Sequence, residues 1–220
     1  MKTSALYAVI IWAAVIIIIS CKEKAAGITD DEYAVYQAVI DTLYVNSACF
    51  INDSTKPAEV VLTAATSWYG NMEGAENVMQ NDLFQARIKN DSYAEIFPSI
   101  ESLSDSADWQ YNFRRINSAG CKIDTQRFRN SYNYKTLTRE SFKNYFCEGR
   151  EEGWADFYSD FPDSMGVLSF SRAAFNNNKN LCLLYFEHYK DSLEASGNYV
   201  FLVKHNRQWT IMEVITDWVS

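Results

Sequence analysis

The stretch that decides the fold is residues 181–220, LCLLYFEHYK DSLEASGNYV FLVKHNRQWT IMEVITDWVS. Leu181 to Tyr189 is apolar and aromatic, and it gives way to Lys190-Asp191-Ser192. Asn198 to Lys204 and Gln208 to Val219 repeat the pattern on either side of His205-Asn206-Arg207. Short runs of this kind, cut by polar turns, are strands that double back on one another. Val167 to Phe175 supplies a fourth run upstream, across the polar turn Asn176 to Asn180. Four strands joined by short turns predict an antiparallel meander.

Upstream of the meander the period changes. Trp154, Phe157, Tyr158 and Phe161 fall at i, i+3, i+4 and i+7, one face of a short helix. Pro162 ends it and Gly166 opens the next element. Near the start, Thr29 with Glu32 three residues on forms a capping box. Tyr33, Tyr36, Ile40, Leu43 and Tyr44 then carry a helix to about Tyr44. Val60 to Ala65 reads as a strand, Trp68 to Asn81 as a loop and Asp82 to Lys89 as a short helix. Pro98 and the polar stretch Glu101 to Asp108 mark a surface connection. The expectation is α+β: helices packed on an antiparallel sheet of at least four strands, in one domain over 28–220. A cystatin-like or nuclear-transport-factor-like arrangement is the nearest analogy, and an analogy of fold assigns no function.

Composition bounds the classes of function. The chain has 220 residues, 48% of them hydrophobic, with 28 acidic and 20 basic side chains for a net charge of −8. A packed core is feasible, and wholesale disorder is excluded. The acidic balance argues against nucleic acid as a partner, because that binding needs cations to displace counterions. Charge is also uneven along the chain. Residues 111–150 hold nine basic and three acidic side chains, for +6, while the rest of the chain beyond residue 20 sums to −15. In this band Arg114, Arg115, Lys122, Arg127, Arg129 and Lys135 alternate with Tyr111, Phe113, Phe128, Tyr132 and Tyr134. Arg114, Arg115, Arg127 and Arg129 are candidate contacts for an anionic glycan or lipid headgroup. Charge balance against the acidic remainder is the plainer reading of the same residues.

The first twenty residues are an address. Lys2 precedes the apolar run Ala5 to Ile19, which is too short to span a bilayer and has the layout of a secretory signal. Ile18-Ile19-Ser20-Cys21 resembles the bacterial lipobox. The resemblance implies cleavage before Cys21, lipid on its sulfur and new amino group, and attachment to an envelope membrane, expected to be the outer one. Residues 21–27 then form a tether of at most about 20 Å. Lys22-Glu23-Lys24 is similar to the Lys-then-acidic signal that sends some lipoproteins to the cell surface, so both periplasmic and surface faces stay open.

With Cys21 assigned to lipid, Cys49, Cys121, Cys147 and Cys182 remain. Four cysteines allow three pairings. Cys121 with Cys147 is favoured, since both lie in polar stretches, while Cys182 sits in an apolar run as a small hydrophobe. There is no CxxC, GxSxG, Gx4GK[ST], GxGxxG or HExxH, and two histidines do not make a multi-histidine metal site. No cofactor and no metal are expected.

Three further features bear on chemistry. His188 stands beside Glu187, but neighbours on a strand face opposite sides, so a structural histidine is expected there and a solvated one at His205. Glu151 and Glu152 precede the aromatic helix; they fit an acid/base pair or charges placed at a helix N-terminus. Arg172 shares a strand face with Leu168, Phe170 and Ala174 by alternation. A guanidinium in that setting needs a partner, either an internal Asp156, Asp160 or Asp217 or an anionic ligand.

Residues Gly153 to Ser220 resemble the end of an uncharacterised family of bacterial lipoproteins. The matching residues are Gly153-Trp154, Phe157-Tyr158, Phe161-Pro162-Asp163-Ser164, Gly166, Ser169, Ser171-Arg172, Phe175-Asn176, Gly197, Tyr199, Leu202, Trp209 and Trp218-Val219-Ser220. Ala173-Ala174 stands where such relatives carry Val-Gly. The resemblance brings no activity. The sequence therefore predicts a lipid-anchored, non-enzymatic binding module of the cell envelope. A small envelope hydrolase working through carboxylates such as Glu151 and Glu152 is the alternative.

Overall fold

The computed structural model describes residues 27–45, 59–68, 106–146 and 152–220. Helix α1 (Asp30–Val39) opens on the predicted capping box: the Thr29 hydroxyl accepts from the Glu32 amide, and the Glu32 carboxylate accepts from the Thr29 amide at 2.8 Å. Asp30, Asp31 and Glu32 place negative charge at its positive end. The helix continues as one wider π-helical stretch, Ile40–Val45, which carries Tyr44 into the core. Strand β1 (Glu59–Thr63) follows, then α2 (Ser106–Ile116), a 3-10 turn at Thr125–Arg127 and β2 (Asn133–Leu137). Helices α3 (Arg139–Phe146) and α4 (Gly153–Asp160) lead into β3 (Ser164–Phe170), β4 (Ala174–Phe175), β5 (Leu181–Tyr189), β6 (Ala195–His205) and β7 (Gln208–Val219).

The α+β expectation is met, with one correction to the sheet. Its order is β2-β1-β3-β5-β6-β7, with β4 beside β5. From β3 onward it is the expected antiparallel meander, but β1 lies parallel to both β2 and β3. The sheet is therefore mixed. Parallel neighbours need long connections, here chain that passes through helices, so no hairpin signal announces them.

Both faces of the sheet are covered. On one, α1 packs Tyr33, Tyr36, Val39 and Ile40 onto Val60, Leu62, Leu168, Phe170, Cys182, Leu184, Phe186, Val200 and Leu202. On the other, α2 brings Phe113 to Leu183, Tyr185, Tyr199, Phe201 and Val203. Beside it α3 and α4 cover Val61, Leu137 and Val167 with an aromatic cluster around Phe157, which is 0% exposed. The helix read from Trp154, Phe157, Tyr158 and Phe161 thus packs on the sheet as its spacing requires.

A second correction concerns Val167 to Phe175. Phe170 pairs with Phe186 and Ala174 with Leu183, so three residues on one strand span two on the other. The extra residue breaks the strand at Ser171–Ala173 and reverses the alternation. Leu168 and Phe170 keep the α1 face, whereas Ala174 lands in the α2 cluster. The strand also begins earlier than expected, at Ser164. Gly166 lies inside it at φ 106, where an added Cβ would sit 2.1 Å from the Tyr189 carbonyl oxygen. Only glycine permits that conformation and that approach together.

The loop at Trp68 to Asn81, the helix at Asp82 to Lys89 and the connection around Pro98 and Glu101 lie wholly or mostly outside the described residues. So do the signal, Cys21, Cys49, Cys147 and Glu151. No helix among the described residues is long and apolar enough to cross a membrane.

Candidate functional site

The break after β3 is built from long-range polar contacts. Glu32, 2% exposed, turns its carboxylate to Arg172, 8% exposed. Arg172 Nε donates to one oxygen at 2.6 Å and Arg172 Nη2 to the other at 3.0 Å. The Ala173 amide adds a third donor at 3.3 Å. Asn117 holds the Arg172 main chain from the other side: Arg172 N donates to Asn117 Oδ1, and Asn117 Nδ2 donates to Arg172 O. Tyr36 Oη donates to Ser171 O, and Tyr185 N donates to Ser171 Oγ. Every backbone group that the extra residue takes from the ladder must find a partner of this kind. The expected acid for Arg172 exists, but it is Glu32 and not Asp156, Asp160 or Asp217. One carboxylate both caps α1 and holds the break 140 residues away.

The basic band does not form one patch. Arg114 and Arg115 are exposed in the last turn of α2. Arg127 and Arg129 lie beside α1, on the opposite face of the sheet. Arg127 pairs with Asp30, donates to the Ile28 carbonyl and lies 4.3 Å over the Tyr33 ring. The same groove is lined by Asp31, Lys204, Arg207 and Trp209, with a volume of about 200 Å³. Of the expected partner contacts, the structure groups Arg127 with Arg129 and separates both from Arg114 and Arg115.

The remaining candidates divide plainly. Glu152 is exposed at the start of α4 and makes no side-chain cap hydrogen bond. His205 is exposed at the end of β6. His188 is structural: its Nε2–H donates to Met165 O at 2.8 Å, with the Tyr44 ring 5.2 Å away. Burial pulls its imidazole down to about 4. Cys182 is a buried free thiol, as expected, and burial pushes it well up; Cys121 is half-buried, and Cys147, the partner expected for it in a disulfide, lies outside the described residues. Among the described residues no cluster of His, Cys, Asp or Glu is able to hold a metal ion.

A second concavity was not foreseen. It has a volume of about 670 Å³ and lies where the α2 side and the α3–α4 side of the second face part. Its floor is Ser169 on β3 and Glu187 on β5, direct partners across the ladder. Ser67 Oγ lies 2.7 Å from Ser169 Oγ. Trp68, Phe142, Phe146 and Tyr189 form walls, and Arg139 and Lys143 of α3 stand at the exposed rim. Glu187 is 2% exposed. Tyr189 Oη donates to one of its oxygens at 2.9 Å, and Tyr185 Oη reaches the other at 3.5 Å. Burial pushes the carboxyl above the ordinary range, the two phenols draw it partly back, and Asp217 adds to the rise. Tyr185 in turn accepts from Trp218 Nε1 at 2.7 Å. That indole lies over Gly197, where a Cβ would come within 2.1 Å of both Trp218 Nε1 and Tyr185 Oη.

The signal for this floor was present in the sequence as a lone acid closing the apolar run Leu181 to Phe186. What Ser67 and Ser169 contribute appears only when β1 and β3 lie side by side. The chain matches no protein-family model, no curated protein and no solved structure.

Proposed function

We propose that this chain is a lipid-anchored protein of the bacterial cell envelope, held at Cys21, and that it binds the acidic, hydroxyl-rich end of a glycan in the cleft over Ser169 and Glu187. One observation carries the reading: a hydroxyl pair and a buried acid lie beneath aromatic walls, with Arg139 and Lys143 at the rim. Sugar hydroxyls exchange hydrogen bonds with Ser67, Ser169 and Glu187. The apolar face of a sugar ring lies on an aromatic wall, and an acidic substituent meets the cations at the mouth. Concave sites with a few convergent polar groups are where small ligands bind.

Glu187 also favours a second reading. A carboxyl raised by burial is suited to act as a general acid. Hydrolysis of a glycosidic bond needs a second carboxylate, however, and none lines the cleft among the described residues. Binding is therefore the better-supported function.

The test is titration of the full chain with oligo-uronates and with neutral oligosaccharides of matched length, followed by calorimetry. Acidic sugars are expected to bind, and the double substitution Arg139→Gln with Lys143→Gln to weaken them about tenfold. Equal binding of neutral sugars, or none at all, overturns the glycan reading. New reducing ends during the titration move the assignment to a hydrolase. Fatty-acid labelling that persists in Cys21→Ser overturns the anchor.

A further inference from the structure

We infer that the groove between α1 and the β6–β7 turn is the surface that docks on anionic lipid headgroups, with Arg129 and Arg207 as its principal contacts. The inference rests on the lipid anchor at Cys21 proposed above.

Position argues first. The described domain begins at Gly27, and Gly27 and Ile28 are fastened to it: Arg172 Nη2 donates to Gly27 O and Arg127 Nη1 to Ile28 O. Six residues from an acylated Cys21, Gly27 lies within about 20 Å of the bilayer. Arg127 therefore joins the groove directly to the end of the tether.

Charge argues second. The groove is lined by Arg127, Arg129, Lys204 and Arg207 against Asp30 and Asp31, an excess of +2. Asp30 takes up Arg127 at 2.5 Å and Asp31 takes up Lys204 at 2.7 Å. The excess therefore belongs to Arg129 and Arg207, both exposed. The rest of the chain is acidic, so this neighbourhood runs against the overall charge. Headgroup attraction falls off within a Debye length, ~8 Å at physiological salt, so only cations held at the surface count.

Backbone argues third. His205 pairs with Gln208, which leaves Asn206 and Arg207 as the two-residue turn between β6 and β7. Both are left-handed, at φ 48 and φ 68. Such a turn favours glycine at its second position. An arginine there is strained, and strain in a tight turn points to a use for the side chain. It projects a cation from the tip of a hairpin. Trp209, beside it, lies under Lys204 Nζ at 5.3 Å. The glycan cleft lies on the other face of the sheet, so a domain docked by this groove leaves the cleft open.

The experiment is hydrogen–deuterium exchange on the acylated full chain in vesicles. Phosphatidylglycerol with phosphatidylethanolamine is compared with phosphatidylcholine. On the anionic vesicles, amides in 127–130 and 204–209 are expected to slow about tenfold, and added salt to reverse the change. Arg129→Gln with Arg207→Gln, which leaves both ion pairs intact, is expected to abolish the slowing. Equal exchange on both vesicles overturns the inference while the anchor stands. Protection of 138–146 instead places the cleft face on the membrane and also overturns it. A mass spectrum without acyl groups on Cys21 removes the anchor and this inference with it.

Discussion

The two faces of one sheet treat polar side chains in opposite ways. Along β5, Cys182, Leu184 and Phe186 point into a core that α1 closes, while Leu183, Tyr185 and Glu187 point to a face where helices part over a cleft. On the closed face the buried charges Glu32 and Arg172 are fully engaged, and they serve the architecture by tying α1 to the break after β3. On the open face Ser67, Ser169 and Glu187 border a cavity of about 670 Å³ and retain capacity for a ligand. Burial alone does not distinguish structure from site, since Glu32 and Glu187 are equally buried at 2% exposure. What distinguishes them is the donors each already holds: a guanidinium, two backbone amides and the Thr29 hydroxyl for Glu32, two phenols for Glu187.

The comparison breaks most sharply at Arg172. Arg172→Met strands the Glu32 carboxylate and is expected to cost about 3–5 kcal/mol in chemical denaturation. A loss below about 1 kcal/mol, far under that range, makes the pair dispensable and the closed face no different from the open one.

Adjacent residues on β5 sharpen it next. His188, on the α1 face, has a folded value of about 4 against an ordinary 6.5, so it is neutral in the folded protein at neutral pH. Its contribution is complete above pH 6.5 and is lost as pH falls toward 4, a span worth about 3 kcal/mol. Glu187, on the cleft face, is raised. Its contribution is complete below its ordinary value and is lost as pH rises through its folded value. Acid should therefore weaken the protein through one residue and strengthen it through its neighbour. Denaturation against pH is expected to show a shallower acid limb in His188→Gln and a steeper one in Glu187→Gln. Parallel profiles in the two variants refute the opposed shifts of the two side chains.

The smallest effect is expected at the cleft floor. Ser169→Ala removes one hydrogen bond beside a cavity open to solvent and should cost no more than about 1.5 kcal/mol, while weakening oligo-uronate binding. A larger stability loss with binding unchanged makes the serine pair structural.

The sequence carried local information well and long-range information poorly. β5 and β7 have the bounds that their composition predicts, and the capping box at Thr29 forms as written. Each depends on residues within a few positions. Glu32 was legible as a capping residue, because that contact spans three residues; its contact with Arg172 spans 140. The displaced Ala174 shows another limit, since alternation is informative only while register holds, and one extra residue reverses it. The cleft needs β1, β3, β5 and α3 at once, which no single window contains.

The ladder between β6 and β7 has two register shifts, at Gly197/Asn198 and Phe201/Leu202. Among the described residues β7 is the outermost strand on that side, twelve residues long. A flat strand of that length with free backbone groups is a template on which another chain can add. The irregularities bend and twist the border, and Glu213 and Asp217 place negative charge along it, so a second copy meets a surface that neither matches its pleat nor welcomes its own charges. For chains crowded on the membrane proposed above, that misfit disfavours strand addition by a neighbour along β7.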